Sequence, residues 1–401
     1  MPYYHRLGDL PPKRHTVFPK AGGGIHYEQL MGNLGFTGLQ SLLHTLRRPT
    51  AVVEVRTAWQ RPLEADPDPR LRMRHLRSHR LEKTGASATR DRVPLLFNAD
   101  LVLSLVRPTA ADTWFWRNAR ADEIVFVTRG AGVLESQFGR LDYREGDYLV
   151  VPRGIIHRLL PAAGSEQVHL VVETPSHVRT PRRYRNAHGQ LLEHSPYCER
   201  DIRAPAVLDV HDETGEFEIM TKAGARVDRV VLDHHPFDTV GWDGFYYPWA
   251  FSIHDFEPIV GRLHQPPPVH QTFEADRFVL CSFVPRLYDF HPDAVPAPYS
   301  HSNVMTDEVI YYANDEFMSR AGIETGSVTL HPDGLPHGPQ PGRTEASIGQ
   351  RETSELAVMI DAFAPLQVAR EALPCEDPDY GASWLGEDPA WARRCGPSCP
   401  A

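Results

Sequence analysis

The sequence predicts an all-β protein with few short helices, and three observations support this prediction. Apolar runs are short, are rich in β-branched and aromatic residues, and end at Pro, Gly or Asp, as in segments 124–128, 148–151 and 309–312. The 36 prolines and 29 glycines are spread along the chain, where they supply the turns of a sandwich or barrel. One segment occurs twice, which predicts two repeats of a single β unit.

The predicted strands follow one another along the chain. They are residues 51–55, 124–128, 148–151, 168–173, 229–232, 278–284 and 309–312. Helix signals are few: one short signal covers residues 27–31, and another covers 352–371. Because Pro365 interrupts the second signal, its part 356–363 fits a strand equally well.

The length of the chain predicts more than one domain. A chain of 401 residues exceeds what one hydrophobic core usually supports. The stretch 241–249 is rich in aromatic residues and is expected to cover the join between two halves. We therefore divide the chain into an N-terminal domain, 1–245, and a C-terminal domain, 246–401.

The duplicated segment keeps one frame in both copies. The first copy has Asp122, Glu123, Gly146, Pro152, Gly154 and His157, and the second has Asp307, Glu308, Gly326, Pro332, Gly334 and His337. Glu308 follows Glu123 by 185 positions, and the two closing histidines lie 180 positions apart. Only the second copy has a histidine, His301, shortly before its acidic pair. The second copy alone can therefore assemble a His, Glu, His set.

His301, Glu308 and His337 have side chains that suit Fe(II). Two neutral imidazoles and one carboxylate on one face of the ion leave other positions open for substrate and dioxygen. Antiparallel pairing of strands would bring these positions together at the mouth of a barrel. Alternatively, the two histidines are hydrogen-bonded loop residues, but the repeated Gly and Pro frame favours the metal site. His157, which lacks such partners, is expected to be structural.

Composition bears on the partners and the location of the protein. The chain has 42 basic and 52 acidic residues, and its formal charge of -10 opposes binding to nucleic acid. Neither a membrane-spanning apolar stretch nor a hydrophobic signal core is present, so we expect a soluble cytoplasmic protein. The five cysteines contain no CxxC pair, which predicts reduced thiols rather than disulfides or zinc ligands. They are Cys198, Cys281, Cys375, Cys395 and Cys399.

Several of these segments resemble a known family. Residues 146–157 and 326–337 both resemble the second cupin motif, and residues 301–308 resemble a degenerate first cupin motif. More specifically, residues 298–308 and 330–339 are similar to the iron site of homogentisate 1,2-dioxygenases, and the segments 27–32 and 356–361 also fit that family.

The resemblance carries expectations for the fold and for the reaction. It implies two cupin-like domains of the jelly-roll or β-sandwich type, the N-terminal one lacking a metal site and the C-terminal one carrying Fe(II). It also implies ring cleavage of homogentisate, or of a closely related para-dihydroxylated aromatic, with dioxygen. For homogentisate the product would be maleylacetoacetate. The protein would be a homo-oligomer, a trimer or a hexamer.

The resemblance also implies roles for individual residues. His301, Glu308 and His337 would be the iron ligands. His264 would be the catalytic acid and base near the substrate hydroxyl, and His331 would line the substrate pocket. Two further substrate-binding candidates are His270, which could substitute for His264, and Phe317, which stands near a tyrosine of the family.

The chain departs from the family in two places. The family has one fewer residue between the first histidine and the glutamate, so Asp307 competes with Glu308 as ligand. Glu308 is preferred because it aligns with Glu123 and because an apolar strand follows it directly. The family holds the substrate carboxylate with Tyr and Arg, but this chain has Phe317 and the segment 294–298 there. The acid side chain of the substrate is therefore left open.

Other functions remain compatible with the same scaffold. A related dioxygenase would cleave gentisate or hydroquinone with the same chemistry. A non-oxidative cupin metalloenzyme, such as an isomerase or decarboxylase, would not consume oxygen. A non-catalytic bicupin would need no complete set of metal ligands. The intact set at 301, 308 and 337 therefore argues against this function.

Overall fold

The computed structural model describes residues 3–82, 85–265 and 267–385. Within these ranges the chain forms 27 strands, one short α-helix and seven 3-10 turns. The strands are β1 (His5–Gly8), β2 (Tyr27–Gly32), β3 (Gln40–Thr45), β4 (Val52–Gln60), β5 (Arg74–Arg77), β6 (Val93–Phe97), β7 (Val102–Val106), β8 (Phe115–Asn118), β9 (Asp122–Arg129), β10 (Gly132–Ser136), β11 (Gly139–Tyr143), β12 (Asp147–Val151), β13 (His157–Pro161), β14 (Val168–Thr174), β15 (Ile202–Arg203), β16 (Thr214–Ala223), β17 (Arg226–His234), β18 (Thr239–Gly244), β19 (Trp249–Ser252), β20 (Gln271–Glu274), β21 (Phe278–Phe283), β22 (Arg286–Leu287), β23 (Asp307–Tyr312), β24 (Ser327–His331), β25 (Glu352–Thr353), β26 (Ala357–Ala362) and β27 (Gln367–Val368). The helix is α1 (Arg343–Ser347), and the 3-10 turns are Ser78–Arg80, Arg182–Tyr184, Glu199–Asp201, Ile253–Asp255, Pro267–His270, Arg370–Cys375 and Tyr380–Trp384. The predicted all-β fold class is confirmed.

The strands form three large sheets and two small ones. The first repeat supplies most of an eight-stranded sheet, in the order β15-β19-β12-β9-β14-β7-β6-β27, and a seven-stranded sheet, β11-β10-β13-β8-β16-β17-β4. The second repeat supplies a six-stranded sheet, β20-β21-β26-β23-β24-β5. Smaller sheets are β1-β18-β3-β2 and β22-β25. Across the described ranges, no helix has both the length and the apolar character needed to cross a membrane.

Most sequence predictions of single elements are confirmed, and one is wrong. All seven predicted strands lie within or largely within observed ones, and the segment 356–363 is the strand β26. The short helix signal at 27–31 is instead β2, because its backbone pairs with β3 along its whole length. Cys198, Cys281 and Cys375 are free thiols, whereas the prediction for Cys395 and Cys399 lies outside the described residues.

Two strands are exchanged between the repeats. Strand β5, from the N-terminal part of the chain, pairs with β24 at one edge of the six-stranded sheet. Strand β27, from the C-terminal part, pairs with β6 in the eight-stranded sheet. Strand β19, just beyond the proposed boundary at 245, also joins the eight-stranded sheet. The division into 1–245 and 246–401 stays a proposal.

The eight-stranded and six-stranded sheets share one hydrophobic core. The Phe126 and Tyr311 rings meet across it with their centroids 6.3 Å apart. Two buried hydroxyl pairs also join the sheets: Thr128 with Tyr311 at 2.7 Å, and Tyr148 with Ser282 at 2.9 Å. Because buried hydroxyls need partners, these bonds fix how one sheet lies on the other.

The repeated glycines have the same backbone conformation in both copies. Gly146 and Gly326 have φ angles of 85° and 86°, and Gly154 and Gly334 have 82° and 74°. These values lie in the left-handed region that favours glycine. The repeated frame is therefore a pair of turns, and each pair positions a strand that ends beside the acidic residue.

Candidate metal centre

Glu308 lies at the centre of a cluster of three histidines. On β23 it pairs with His331 of β24 on one side and with Asp361 of β26 on the other. Oε1 of Glu308 accepts a hydrogen bond from Nδ1 of His331 at 2.8 Å. Nε2 of His337 lies 3.6 Å from Oε1, and Nε2 of His301 lies 3.6 Å from Oε2. One carboxylate therefore faces three imidazoles.

A short backbone pairing holds His301 against His337. Each residue donates its backbone N–H to the carbonyl oxygen of the other at 2.8 Å. Nδ1 of His337 lies 3.1 Å from the Leu335 carbonyl oxygen, and Nδ1 of His301 lies 3.3 Å from that of Tyr299. Because a carbonyl oxygen only accepts, each ring carries a proton on Nδ1, which leaves the Nε2 lone pair for a ligand.

The donor set fits a metal ion. One ligand atom from each of His301, Glu308 and His337 lies within 4.8 Å of the other two. Nε2 of His337 is buried without a hydrogen-bond partner. An unpaired buried nitrogen costs free energy, and a metal ion would remove that cost by taking the lone pair. No other set of His, Cys, Asp or Glu side chains has this geometry in the described part of the chain.

The surrounding imidazoles keep Glu308 ionised. Burial by itself raises the pKa of this carboxyl, but the adjacent imidazoles of His301, His331 and His337 outweigh burial and hold the pKa well below its usual range. Burial, with the positive charge of Arg320, lowers the pKa of His331 to about 4. The centre therefore presents an anionic carboxylate beside a neutral His331.

Asp307, the alternative ligand, accepts hydrogen bonds from the backbone instead of facing the histidines. Its Oδ1 accepts the N–H of Asp333 at 2.8 Å, and its Oδ2 accepts the N–H of Leu366 at 2.7 Å. Neighbouring residues of a strand point to opposite faces, so only one of the pair can face the histidines. That residue is Glu308.

A cavity of about 210 Å³ is bounded on one side by Glu308 and His301. Most of its wall is apolar, as in sites that bind small aromatic molecules. His264, His270 and Phe317 belong to the wall of this cavity. The ligand cluster thus opens onto a pocket of suitable chemistry.

His264 is the most accessible of these side chains, with 46% of it exposed. Its Nδ1 lies 3.7 Å from Oδ2 of Asp289, and its ring meets that of Tyr299 edge to face at 5.3 Å. Asp289 can therefore orient the imidazole without burying it. A half-exposed imidazole in the cavity wall can exchange protons with solvent.

His270 and Phe317 form a less polar part of the wall. Burial lowers the pKa of His270 to about 3, so this imidazole stays neutral. The Phe317 ring packs edge to face against Phe283 at 5.8 Å and against Tyr312 at 5.0 Å. This part of the wall offers aromatic surface, with the Arg286 guanidinium 5.8 Å from the centroid of the Phe283 ring.

The structure corrects the expectation that His331 lines the pocket. Its side chain is fully buried and does not belong to the cavity wall. Its ring stacks on that of His337 at 4.7 Å, and its Nε2 lies 3.1 Å from the hydroxyl of Tyr380. The 3-10 turn Tyr380–Trp384 therefore covers the side of the centre on which His331 was expected to meet substrate.

Sequence reasoning missed the charged groups of the cavity wall other than Glu308, among them Arg286, Arg320 and Asp361. Arg286 forms an ion pair with the buried Glu355 at 2.7 Å. Arg320 is buried and donates to the carbonyl oxygen of Gly338 at 2.7 Å. Burial and the charge of Glu308 raise the pKa of Asp361 to about 7. The sequence gives one indication for Asp361, which is its position near the end of a predicted strand. This position does not show that the strand pairs with β23 and so places Asp361 beside Glu308.

The first repeat contains a site that corresponds to the Glu308 cluster of the second repeat. In this site the guanidinium of Arg92, rather than a group of histidines, faces the carboxylate. Glu123 pairs with Glu173 across neighbouring strands, just as Glu308 pairs with Asp361. The guanidinium of Arg92 donates to Glu123 at 2.9 Å and to Glu173 at 2.8 Å. Burial raises the pKa of Glu123, but the adjacent Arg92 outweighs this effect and holds the pKa far below its usual range.

His157 keeps the backbone contact of its counterpart His337. Its Nδ1 lies 3.1 Å from the carbonyl oxygen of Ile155, two residues earlier, and the side chain is buried. Burial lowers its pKa, so the ring is neutral. This environment agrees with the structural role expected for His157.

Fold and site together define a cupin-like, all-β protein with a candidate metal centre in its second repeat. The chain is 42% identical, over 96% of its own length and 99% of the relative's, to a protein of Saccharolobus solfataricus named "Putative dioxygenase". The family model described as homogentisate 1,2-dioxygenase N-terminal matches residues 106–253. The chain belongs to the same family as this Saccharolobus protein, and its residues 106–253 match the homogentisate 1,2-dioxygenase N-terminal model.

Other similarities are more distant. The homogentisate 1,2-dioxygenase of Bradyrhizobium diazoefficiens is 27% identical over 70% of this chain, and the match spans 65% of that enzyme's length. Among solved structures, a cupin 2 conserved barrel domain protein from Leptotrichia buccalis is 9% identical, with a TM-score of 0.34 over 72% of this chain and 95% of that one.

Proposed function

We propose that this protein is an Fe(II)-dependent dioxygenase that cleaves the ring of homogentisate or of a closely related para-dihydroxylated aromatic. The observation that carries the proposal is the set of His301, Glu308 and His337, whose ligand atoms converge beside an apolar cavity. The name of the Bradyrhizobium relative supports homogentisate as the substrate. In that case the product is maleylacetoacetate.

The three ligand residues would hold Fe(II) on one face and leave the cavity side for the reactants. Bound Fe(II) would supply Lewis acidity and would mediate the transfer of electrons from the aromatic substrate, which is oxidised, to dioxygen, which is reduced. His301 and His337 each offer Nε2, because their Nδ1 atoms are engaged by carbonyl oxygens. His331 orients Glu308 through a hydrogen bond of 2.8 Å, and such outer contacts fix the geometry of ligands.

His264 is proposed to accept the phenol proton of the substrate at one of its ring nitrogens. His264 lines the same cavity as Glu308 and His301. Asp289 lies on the Nδ1 side of the His264 ring. Imidazole suits this task because it gains and loses a proton near neutral pH. Phe317 and Phe283 would pack against the substrate ring.

We also propose a cytoplasmic protein that acts as a homo-oligomer, a trimer or a hexamer, on a small aromatic substrate and dioxygen. No nucleic-acid or membrane partner is proposed. The family resemblance supports the assembly, and the formal charge of -10 argues against nucleic acid.

Oxygen uptake tests the proposal. The chain would be loaded with Fe(II) under anaerobic conditions and mixed with homogentisate, gentisate or hydroquinone in oxygenated buffer, with His301→Ala as the control. We expect uptake with homogentisate and none above background in the control. Faster uptake with gentisate or hydroquinone would instead identify a related ring-cleaving enzyme. No uptake above the control with any substrate would contradict the dioxygenase and leave a non-oxidative cupin metalloenzyme or a non-catalytic bicupin.

A further inference from the structure

We propose that the first repeat carries a second ligand site, which binds a small aromatic carboxylate without a metal. The site is a cavity of about 370 Å³, here called the first-repeat cavity. Its wall includes Trp59, Arg90, Arg92, Arg120, Glu173 and Lys222. The proposal is independent of the metal centre.

The first-repeat cavity occupies the place that the substrate pocket has in the second repeat. Glu173 belongs to its wall and pairs with Glu123. Asp361 belongs to the wall of the metal-site cavity and pairs with Glu308, the counterpart of Glu123. The two cavities therefore lie beside corresponding positions of corresponding strands. The first repeat thus has a pocket at this place, although its described residues contain no His, Glu, His set.

The floor of the first-repeat cavity is electrically balanced and closed to metal. Arg92 bridges the two carboxylates of Glu123 and Glu173, and Lys222 forms an ion pair with Glu173. Two cations thus face two carboxylates. Asn118 donates to Oε1 of Glu123 at 3.0 Å, so the carboxylate that corresponds to a ligand is already saturated. A positive side chain in the middle of this set would repel a divalent cation.

The rim adds positive charge that nothing in the described protein neutralises. Arg61 pairs with Glu371 at 3.0 Å. The guanidinium groups of Arg90 and Arg120, by contrast, have no carboxylate within ion-pair distance among the described residues. Because the floor is neutral, these two arginines give the cavity a net positive charge. A concave, positively charged site attracts and concentrates small anions.

Aromatic side chains make the cavity suitable for a ring. Trp116 is buried in the floor, and Trp59 is partly buried at the side. The guanidinium of Arg90 lies over the Trp59 ring, 5.6 Å from its centroid, which places positive charge against an aromatic surface. A planar ring could pack against Trp59 beside this guanidinium while its carboxylate meets Arg90 or Arg120. The volume accommodates a single-ring compound.

Calorimetric titration of the metal-free, full-length protein with phenylacetate tests the proposal. The cavity variant is Arg90→Gln/Arg120→Gln, and the matched control is Arg144→Gln/Arg182→Gln, which removes two exposed arginines from outside both cavities. We expect saturable binding that weakens roughly tenfold or more in the cavity variant, because each lost charge-assisted bond is strong. The control should bind as the parent protein does.

Two further probes separate the charge from the ring. Acetate keeps the carboxylate and phenylacetamide keeps the ring, so both should bind at least roughly tenfold more weakly than phenylacetate. If acetate bound as tightly as phenylacetate, the ring would not contribute to binding. If phenylacetamide bound as tightly as phenylacetate, the carboxylate would not contribute. Absence of saturable phenylacetate binding, unchanged affinity in the cavity variant, or equal weakening in both double variants would overturn the site itself.

Discussion

Glu308 and Asp307 are neighbours with separate tasks. Both are buried, but Glu308 faces three imidazoles, whereas both oxygens of Asp307 accept backbone N–H groups. The division follows from the alternation of side chains along β23. At the residue scale, the chemistry of the site therefore depends on the register of one strand.

Replacing His264 should slow the reaction without removing the metal. We expect His264→Ala to lower kcat by roughly 10²–10⁴-fold, the range for loss of a positioned acid or base. Bound iron should stay at the parent level, because His264 is not part of the ligand set. Steady-state oxygen uptake and iron analysis measure the two quantities. His188→Ala, at an exposed position outside both cavities, is the control. Unchanged kcat in His264→Ala would refute the assignment.

At the scale of single elements, the sheet of the first repeat is held by a buried ion network. Arg92→Met would leave Glu123 and Glu173 buried without their shared cation. Breaking such a pair costs about 3–5 kcal/mol, so we expect a loss of that size in the free energy of unfolding. Urea denaturation measures it. The double variant Arg92→Met/Glu123→Gln should recover part of the loss, and a single variant as stable as the parent would contradict this view.

Strand β14 should make stability depend on pH through His169. Burial lowers the pKa of this imidazole to about 3, from an ordinary value of 6.5. Below pH 6.5 the His169 imidazole binds a proton in the unfolded chain but stays neutral in the folded chain. The folded state is therefore not destabilised by this histidine above pH 6.5, and its free energy of unfolding declines as the pH falls from 6.5 toward 3. The decline is at most about 1.4 kcal/mol per pH unit.

Thermal or urea unfolding between pH 7 and pH 5 would detect this dependence. His169→Leu should flatten the pH profile by the contribution of one histidine. Other buried histidines will keep part of the slope. If the variant and the parent had the same slope, His169 would not be the titrating group.

At the scale of the whole molecule, the exchanged strands tie the two repeats into one cooperative unit. Leu76 of β5 is 1% exposed and pairs with Val328 in the sheet of the second repeat. We expect Leu76→Ala to cost about 2–5 kcal/mol and to destabilise both repeats together. Leu71→Ala, at a site that is 60% exposed, should cost little. Separate transitions by tryptophan fluorescence and far-ultraviolet circular dichroism would contradict a single unit.

The sequence predicted local features well and long-range ones poorly. Residues 124–128 and 309–312 were predicted as strands because their side chains suit a buried sheet, and the repeated frame pointed to Glu308 and His337. The pairing of β5 with β24 could not be foreseen, because Arg74–Arg77 has three polar residues out of four and no local signal names its partner. Arg92 was missed for a similar reason, since its role depends on carboxylates that lie 31 and 81 positions away.

The iron content of three proteins tests the central claim most directly. The parent chain, Asp307→Asn and Glu308→Gln would each be equilibrated with Fe(II) under anaerobic conditions, freed of unbound metal and analysed for iron. We predict about one iron per chain in the parent and in Asp307→Asn, although the latter should be less stable, and almost none in Glu308→Gln. Iron retained by Glu308→Gln, or lost from a folded Asp307→Asn, would contradict the proposed centre.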